Sequence, residues 1–127
     1  KCIDKHDYFS MWNKTVDVLH WHNDVVSLPE GAQPLARSAK TKVQAFRFGS
    51  ALGMQFHLEV TPTLLEEWLD ESSMVKDLKA AGGSKSQLRE AFAEYNPQLQ
   101  PLADQVFSSF AARCNSYGQN LAQAQQG

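Results

Sequence analysis

His57 and Glu59 are the two residues whose types and spacing point most directly to chemistry. They stand two positions apart at the end of a segment whose alternating polarity predicts a β-strand. Side chains two apart on a strand leave the same face, so the carboxylate can fix one imidazole tautomer and stabilise the protonated ring. The pair therefore has the form of a general base with its orienting group, and it needs a nucleophile to act on.

A second histidine pair, His20 and His22, repeats this two-residue spacing in residues 16–22, which also predict a strand. Two imidazoles on one face can bind zinc if Asp24 or His57 supplies a further ligand, which would make this a small metal-binding domain. The simpler interpretation is a pair of structural histidines, buried or hydrogen-bonded within a turn. We favour it, and we predict no metal and no cofactor.

The elements that must position these residues change in character near residue 60. The N-terminal part contains four short β-type segments bounded by Gly, Pro and Asn, at residues 16–22, 35–38, 43–48 and 52–59. Gly49 and Ser50 predict a hairpin between the last two. The alternation in the final strand places one set on the core face (Leu52, Met54, Phe56, Leu58) and another on the opposite face (Gly53, Gln55, His57, Glu59).

Beyond residue 60 the apolar periodicity is helical. Thr61 and Pro62 predict a helix start, with Thr63 and Glu66 as a capping box. We expect a second helix that ends before Asn96-Pro97, and then a final helix with one apolar stripe (Leu99, Leu102, Val106, Phe107, Phe110, Cys114). Trp68 and the late phenylalanines are expected in the core. Strands followed by covering helices predict an α/β layered domain.

Size and charge narrow the function classes. The chain has 127 residues and a net charge of −2, which suits one globular unit and gives no electrostatic attraction to nucleic acid or anionic membranes. We find no apolar run long enough for a membrane span and no signal peptide. Cys2 and Cys114 suggest no disulfide framework, so we expect a reduced, cytoplasmic setting.

The decapeptide G-M-Q-F-H-L-E-V-T-P, residues 53–62, resembles the Q-F-H-x-E signature of class I glutamine amidotransferases. Residues 18–24 and 28–32 resemble the segment before the triad in stand-alone, GMP-synthase-like members. The similarity covers roughly residues 15–112 in the family's order. It implies the C-terminal half of a flavodoxin-like three-layer α/β domain.

The resemblance also implies a site and a substrate. His57 and Glu59 correspond to two members of a Cys-His-Glu triad that hydrolyses the side-chain amide of L-glutamine and transfers ammonia. Trp21, His22, Asn23 and Asp24 correspond to a turn beside the bound glutamine head group. Asn23 replaces the usual glycine, and asparagine tolerates left-handed backbone geometry, so we expect the turn to be kept.

The nucleophile is missing from this pattern. The family carries its cysteine on a G-x-C-x-G elbow before the segments matched above, and no such element occurs in the sequence. Cys2 has no flanking glycine, and Cys114 falls on the predicted apolar stripe, where a cysteine is usually a small core residue. We therefore predict a glutaminase half-site that is inactive alone and depends on an N-terminal nucleophile-bearing half or on self-association. The alternative is a non-catalytic amidotransferase-like interaction module.

The expected domain organisation is one partial domain over residues 1–127. Its strand-rich part is residues 1–60, its helical part is residues 61–118, and residues 119–127 are expected to be a frayed tail rich in Gln and Ala.

Overall fold

The structure, a computed structural model, describes residues 7–12 and 15–124. A short 3-10 turn at Asp7–Phe9 comes first. Five strands follow, namely β1 (Leu19–His20), β2 (Gln33–Ala36), β3 (Ala45–Phe48), β4 (Ala51–Met54) and β5 (Phe56–His57). Three helices complete the described part of the chain, namely α1 (Pro62–Asp70), α2 (Ser72–Ala80) and α3 (Lys85–Ala124). The chain thus combines short strands with helices, which agrees with the predicted α/β class.

The strand predicted over residues 52–59 is divided at Gln55 between two sheets. β4 pairs antiparallel with β3 in a three-stranded sheet of order β2-β3-β4, whereas β5 pairs antiparallel with β1. The Gln55 N–H donates to the carbonyl of Gln44 at 2.9 Å, so the backbone donor at the break still has a hydrogen-bond partner. The four residues predicted on the core face keep that face on both sides of the break. They all pack in one apolar cluster, the main core cluster described below (Leu52, Met54, Phe56, Leu58).

The predicted hairpin is confirmed. Phe48 pairs with Ala51 across a two-residue loop, and Gly49 has a φ of 57°. A type II′ turn requires that sign at its first central residue, and it matches the twist of the flanking strands. Packing favours glycine at position 53, because a Cβ added there would lie 2.5 Å from the Phe46 ring.

The other strands are shorter than predicted or displaced. Residues 16–22 contribute only the two residues of β1. The segment predicted at residues 35–38 begins at Gln33 and ends at Ala36, and that predicted at 43–48 begins at Ala45. Hydrophobic alternation marks which residues are extended, but pairing partners decide which of them form ladders.

Two apolar clusters lie on opposite sides of the β1–β5 pair. The main cluster joins the 3-10 turn, the strands and α3 through its buried members (Tyr8, Phe9, Trp12, Leu35, Ala36, Ala45, Phe56, Leu58, Leu99, Ala103, Val106). The second cluster is centred on Val60, Leu65 and Leu69 of α1, with Leu19 and Trp68 packed against it. His57 and its pairing partner Leu19 thus lie on the side of α1, opposite the side chain of Phe56.

Helix α1 begins as the sequence indicates. Thr61 is the N-cap, and its hydroxyl accepts a hydrogen bond from the Leu64 N–H at 3.2 Å, with Pro62 in the first turn. The predicted capping box of Thr63 and Glu66 is wrong, because the cap lies two residues earlier. Glu66 instead forms a two-pronged ion pair with Arg89 of α3, with a shortest distance of 2.6 Å.

The predicted helix break at Asn96-Pro97 is also wrong. Helix α3 runs without interruption from Lys85 to Ala124 and contains both Pro97 and Pro101. Each proline removes one backbone hydrogen bond and costs about 3 kcal/mol in a helix interior. Burial of Leu99, Ala103 and Val106 along one continuous face offsets that cost.

The distal part of α3 differs most from expectation. Phe107 and Phe110 are 45% and 48% exposed, and Cys114 is exposed too, so these three predicted core positions are wrong. Residues 119–124, predicted to fray, continue the helix. Within the described part of the chain, no helix combines the length and apolar character needed to cross a membrane.

Candidate active site

His57 and Glu59 meet as the two-residue spacing predicts. Nδ1 of His57 lies 2.7 Å from Oε1 of Glu59, and the other carboxylate oxygen accepts from the Leu58 N–H at 3.0 Å. The side chain of His57 is 26% exposed and that of Glu59 is 53% exposed. The carboxylate is thereby fixed on one side of the ring while the pair stays open to solvent.

The second ring nitrogen of His57 faces the backbone. Nε2 lies 3.2 Å from the carbonyl oxygen of Trp21. Carboxylate and carbonyl are both acceptors, so a neutral imidazole can donate to only one of them, whereas a protonated ring donates to both. The nitrogen that would exchange a proton with a nucleophile is therefore turned toward the 21–24 turn.

Trp68 of α1 braces the ring from the helix side. Its indole meets His57 edge-on, with ring centroids 5.1 Å apart and planes at 84°. The same indole meets Trp21 at 5.5 Å and 77°. Such edge-to-face contacts stabilise one ring orientation in addition to the apolar area they bury. Trp68 is half-buried. It contacts the His57 ring on one side and packs against the second cluster on the other.

The turn at His22 and Asp24 is tied to the same strand. Nδ1 of His22 is 2.8 Å from the Asp24 carbonyl, which also accepts from Nε2 of Gln55 at 2.9 Å. The structure therefore brings Trp21, His22 and Asp24 beside the face that carries Gln55 and His57. Asn23 is exposed, and its φ is not positive. The turn is closed by side chains, so it does not need the left-handed backbone that asparagine would tolerate.

His20 belongs to the opposite side of the β1–β5 pair. It pairs with Phe56 and lines a cavity of about 500 Å³ with Trp12, Val18 and Gln44. Partial burial, followed by the neighbouring charges of His22 and His57, lowers the pKa of His20 below its ordinary value. The rings of His20 and His22 approach edge-on at 5.8 Å. Among residues 7–12 and 15–124, no three His, Cys, Asp or Glu side chains are grouped to hold a metal.

The pKa of Glu59 is set by opposing effects. Burial acts to raise it, but the hydrogen bond from His57, the backbone N–H groups and the charge of His57 together hold it below its ordinary value. Because this folded-state pKa is depressed, the carboxylate favours the folded state at neutral pH, and that contribution is lost as pH falls through the folded pKa.

We expect His57→Ala to raise the pKa of Glu59. The substitution removes both interactions with the imidazole and leaves some of the burial in place. Titration of the glutamate side-chain carboxyl carbons by NMR measures this directly, with Glu66 as an internal reference because its pKa is lowered by Arg89 instead. An unchanged Glu59 titration would contradict the pairing.

Two residues of this site were not given roles in the sequence interpretation. Gln55 was placed on the correct face, yet its hydrogen bond to the 21–24 turn depends on a contact 31 positions away. Trp68 was assigned to the core from its place on the apolar stripe of α1. Its contact with His57 follows from the direction in which α1 packs, which the stripe does not specify.

The chain is similar to known proteins both in sequence and in fold. The family model described as glutamine amidotransferase class-I matches residues 1–75. The fold is similar to the crystal structure of a glutamine amidotransferase from Thermotoga maritima, with a TM-score of 0.77 and 24% sequence identity. That match covers 87% of this chain and 47% of the other, so the chain spans about half the length of that structure. No curated protein matches the sequence significantly.

Proposed function

This chain belongs to the class I glutamine amidotransferase family, and from that premise we propose that it carries the base half of a glutaminase site. His57 is the general base and acid, Glu59 its orienting carboxylate, and L-glutamine the substrate. The observation that supports the proposal best is the 2.7 Å contact between Nδ1 of His57 and Oε1 of Glu59. That contact leaves Nε2 as the nitrogen able to exchange a proton.

The proposed reaction has two steps. A thiolate adds to the side-chain amide of glutamine, and protonated His57 gives its Nε2 proton to the departing nitrogen, leaving a glutamyl thioester and ammonia. Neutral His57 then takes a proton from water as it attacks the thioester, which releases glutamate and regenerates the thiolate. Glu59 stabilises the imidazolium that is present before the first step and is formed again in the second.

We propose that the thiolate comes from a part of the domain outside these 127 residues. Cys114 is exposed on α3 and lines a groove with Tyr8 and Ser50 rather than the His57 site. Cys2 lies outside the described residues. Thiolate chemistry needs a reduced cysteine, which agrees with a cytoplasmic setting.

The turn at residues 21–24 is proposed to hold the head group of glutamine. Its backbone is already fixed by the bonds to the Asp24 carbonyl from His22 and Gln55. Binding of substrate and nucleophile must displace the Trp21 carbonyl from Nε2 of His57, since a nitrogen engaged there cannot reach a thiol.

We expect the chain alone to release no ammonia from glutamine, because a base without a nucleophile has nothing to activate. Addition of an N-terminal amidotransferase half that carries the G-x-C-x-G element should restore release, measured by a coupled glutamate dehydrogenase assay. Cys2→Ser is the matched control and should change neither result. Ammonia release by the chain alone that disappears in Cys2→Ser would overturn the assignment of the nucleophile.

The contact between Nε2 of His57 and the Trp21 carbonyl also supports a second candidate, a non-catalytic amidotransferase-like module that acts through a protein interface. In that case the contact is permanent, and the complex with a cysteine-bearing half forms without activity. Complex formation measured by native mass spectrometry, together with the ammonia assay, separates the two candidates.

A further inference from the structure

The distal half of α3 carries an apolar stripe that the proposed glutaminase chemistry does not use. Past Val106 none of the described side chains is buried. Four large apolar side chains remain uncovered there, with exposed fractions of 45% for Phe107, 48% for Phe110, 66% for Tyr117 and 46% for Leu121. Together with exposed Cys114, we call these five residues the α3 stripe.

The spacing of the α3 stripe is that of a helix-pairing seam. Its members stand at intervals of three and four residues over two heptads, which is the a and d pattern of paired helices. Charge does not oppose self-pairing either, because Arg113 is the single charged residue between 107 and 124. Its guanidinium is held 5.1 Å above the Tyr8 ring of the same chain.

The stripe lies on the same side of α3 as the core. At 3.6 residues per turn, Phe107, Phe110 and Tyr117 continue the side from which Leu99, Ala103 and Val106 enter the main cluster. A groove of about 650 Å³ opens beside it, between the distal helix and the residues Tyr8 and Ser50. A helix seated on the stripe can therefore bury both the stripe and the groove.

We propose that the α3 stripe is the dimer interface of this protein and that its occupant is the α3 stripe of a second copy. The two helices run antiparallel, because each stripe faces the side of its own globular part and a parallel pair would force the two globular parts into one space. The contact is a two-fold, self-complementary one, as closed dimers require. Cys114 lies at the middle of the stripe and so near its symmetry mate.

The available area predicts a weak dimer. The three aromatic rings leave on the order of 300 Å² exposed per copy. Two copies bury about twice that, and Leu121 with the groove walls brings the total toward the roughly 1,000 Å² at which specific interfaces begin. The expected association is therefore concentration-dependent.

The test is sedimentation velocity on the full chain over a wide concentration range. We expect a monomer–dimer equilibrium that the double variant Phe110→Glu, Tyr117→Glu abolishes, because four carboxylates would be forced into an apolar seam. The matched control is Ser108→Glu, Gln119→Glu, which adds the same charge on the opposite, exposed face and should retain the dimer. Circular dichroism checks that both variants keep their helix.

A cross-link tests the position of Cys114 independently. In a Cys2→Ser background, a short bismaleimide should join two chains through Cys114, whereas a chain with Cys114→Ser and Gln119→Cys should not be joined. Three results would overturn the proposal: a monomer at every concentration, a dimer that survives Phe110→Glu with Tyr117→Glu, or equal cross-linking from both positions. If the α3 stripe becomes protected from solvent only when an N-terminal amidotransferase half is added, the stripe is the contact surface for that half and the dimer proposal is wrong as well.

Discussion

Replacing His57 by alanine is expected to lower ammonia release by the complemented enzyme by about 10²–10⁴-fold, the usual contribution of a positioned general base. The loss should appear in kcat, because the role we propose for His57 concerns the transferred proton and not the binding of glutamine in the ground state. Glu59→Gln should lower kcat as well. Residue 59 contacts Nδ1 of His57, and a neutral amide there cannot stabilise the positive charge of the imidazolium.

His20→Ala is the matched control for that experiment. His20 is also a partly exposed histidine of the β1–β5 pair, but its ring lies on the cavity side with Val18 and Phe56. We expect a change of less than about threefold, equivalent to under about 0.7 kcal/mol in the barrier. Equal losses in the two variants would mean that His57 acts through the fold and not through proton transfer.

Replacing Phe56 by alanine is expected to be among the most destabilising single changes. Phe56 is 6% exposed, and its ring packs at 5.6 Å from Trp12 and 6.4 Å from Phe9. Truncation of such a ring leaves a cavity, and the expected cost is about 3–5 kcal/mol in the free energy of unfolding. Chemical denaturation followed by tryptophan fluorescence measures it.

Phe48→Ala is the control for this prediction, because Phe48 ends β3 and is 52% exposed. Its effect should stay within about 1 kcal/mol, as expected away from the core. Phe56 immediately precedes His57, so Phe56→Ala should also broaden the NMR signals of the His57–Glu59 pair. A cost below about 1 kcal/mol for Phe56→Ala would show that the aromatic cluster does not anchor β5.

The sequence by itself determined the local features of this protein. Two-residue periodicity placed His57 and Glu59 on one face, and the structure joins them at 2.7 Å. Thr61 and Pro62 marked the start of α1 because a hydroxyl cap and a proline in the first turn satisfy the helix terminus locally. The turn at Gly49 was equally readable, since a positive φ favours glycine. Each of these features depends on neighbours a few positions apart.

Only the tertiary structure decided the features that depend on distant partners. Gln55 interrupts its strand because Gln44 and β1 offer competing pairings, and Trp68 reaches His57 because of how α1 packs. The prolines of α3 did not end the helix, because burial on its continuous face offsets two lost hydrogen bonds. The exposure of Phe107, Phe110 and Cys114 was likewise decided by tertiary packing. Helical spacing identifies an apolar face, but what covers that face is a property of the packed chain or of its partner.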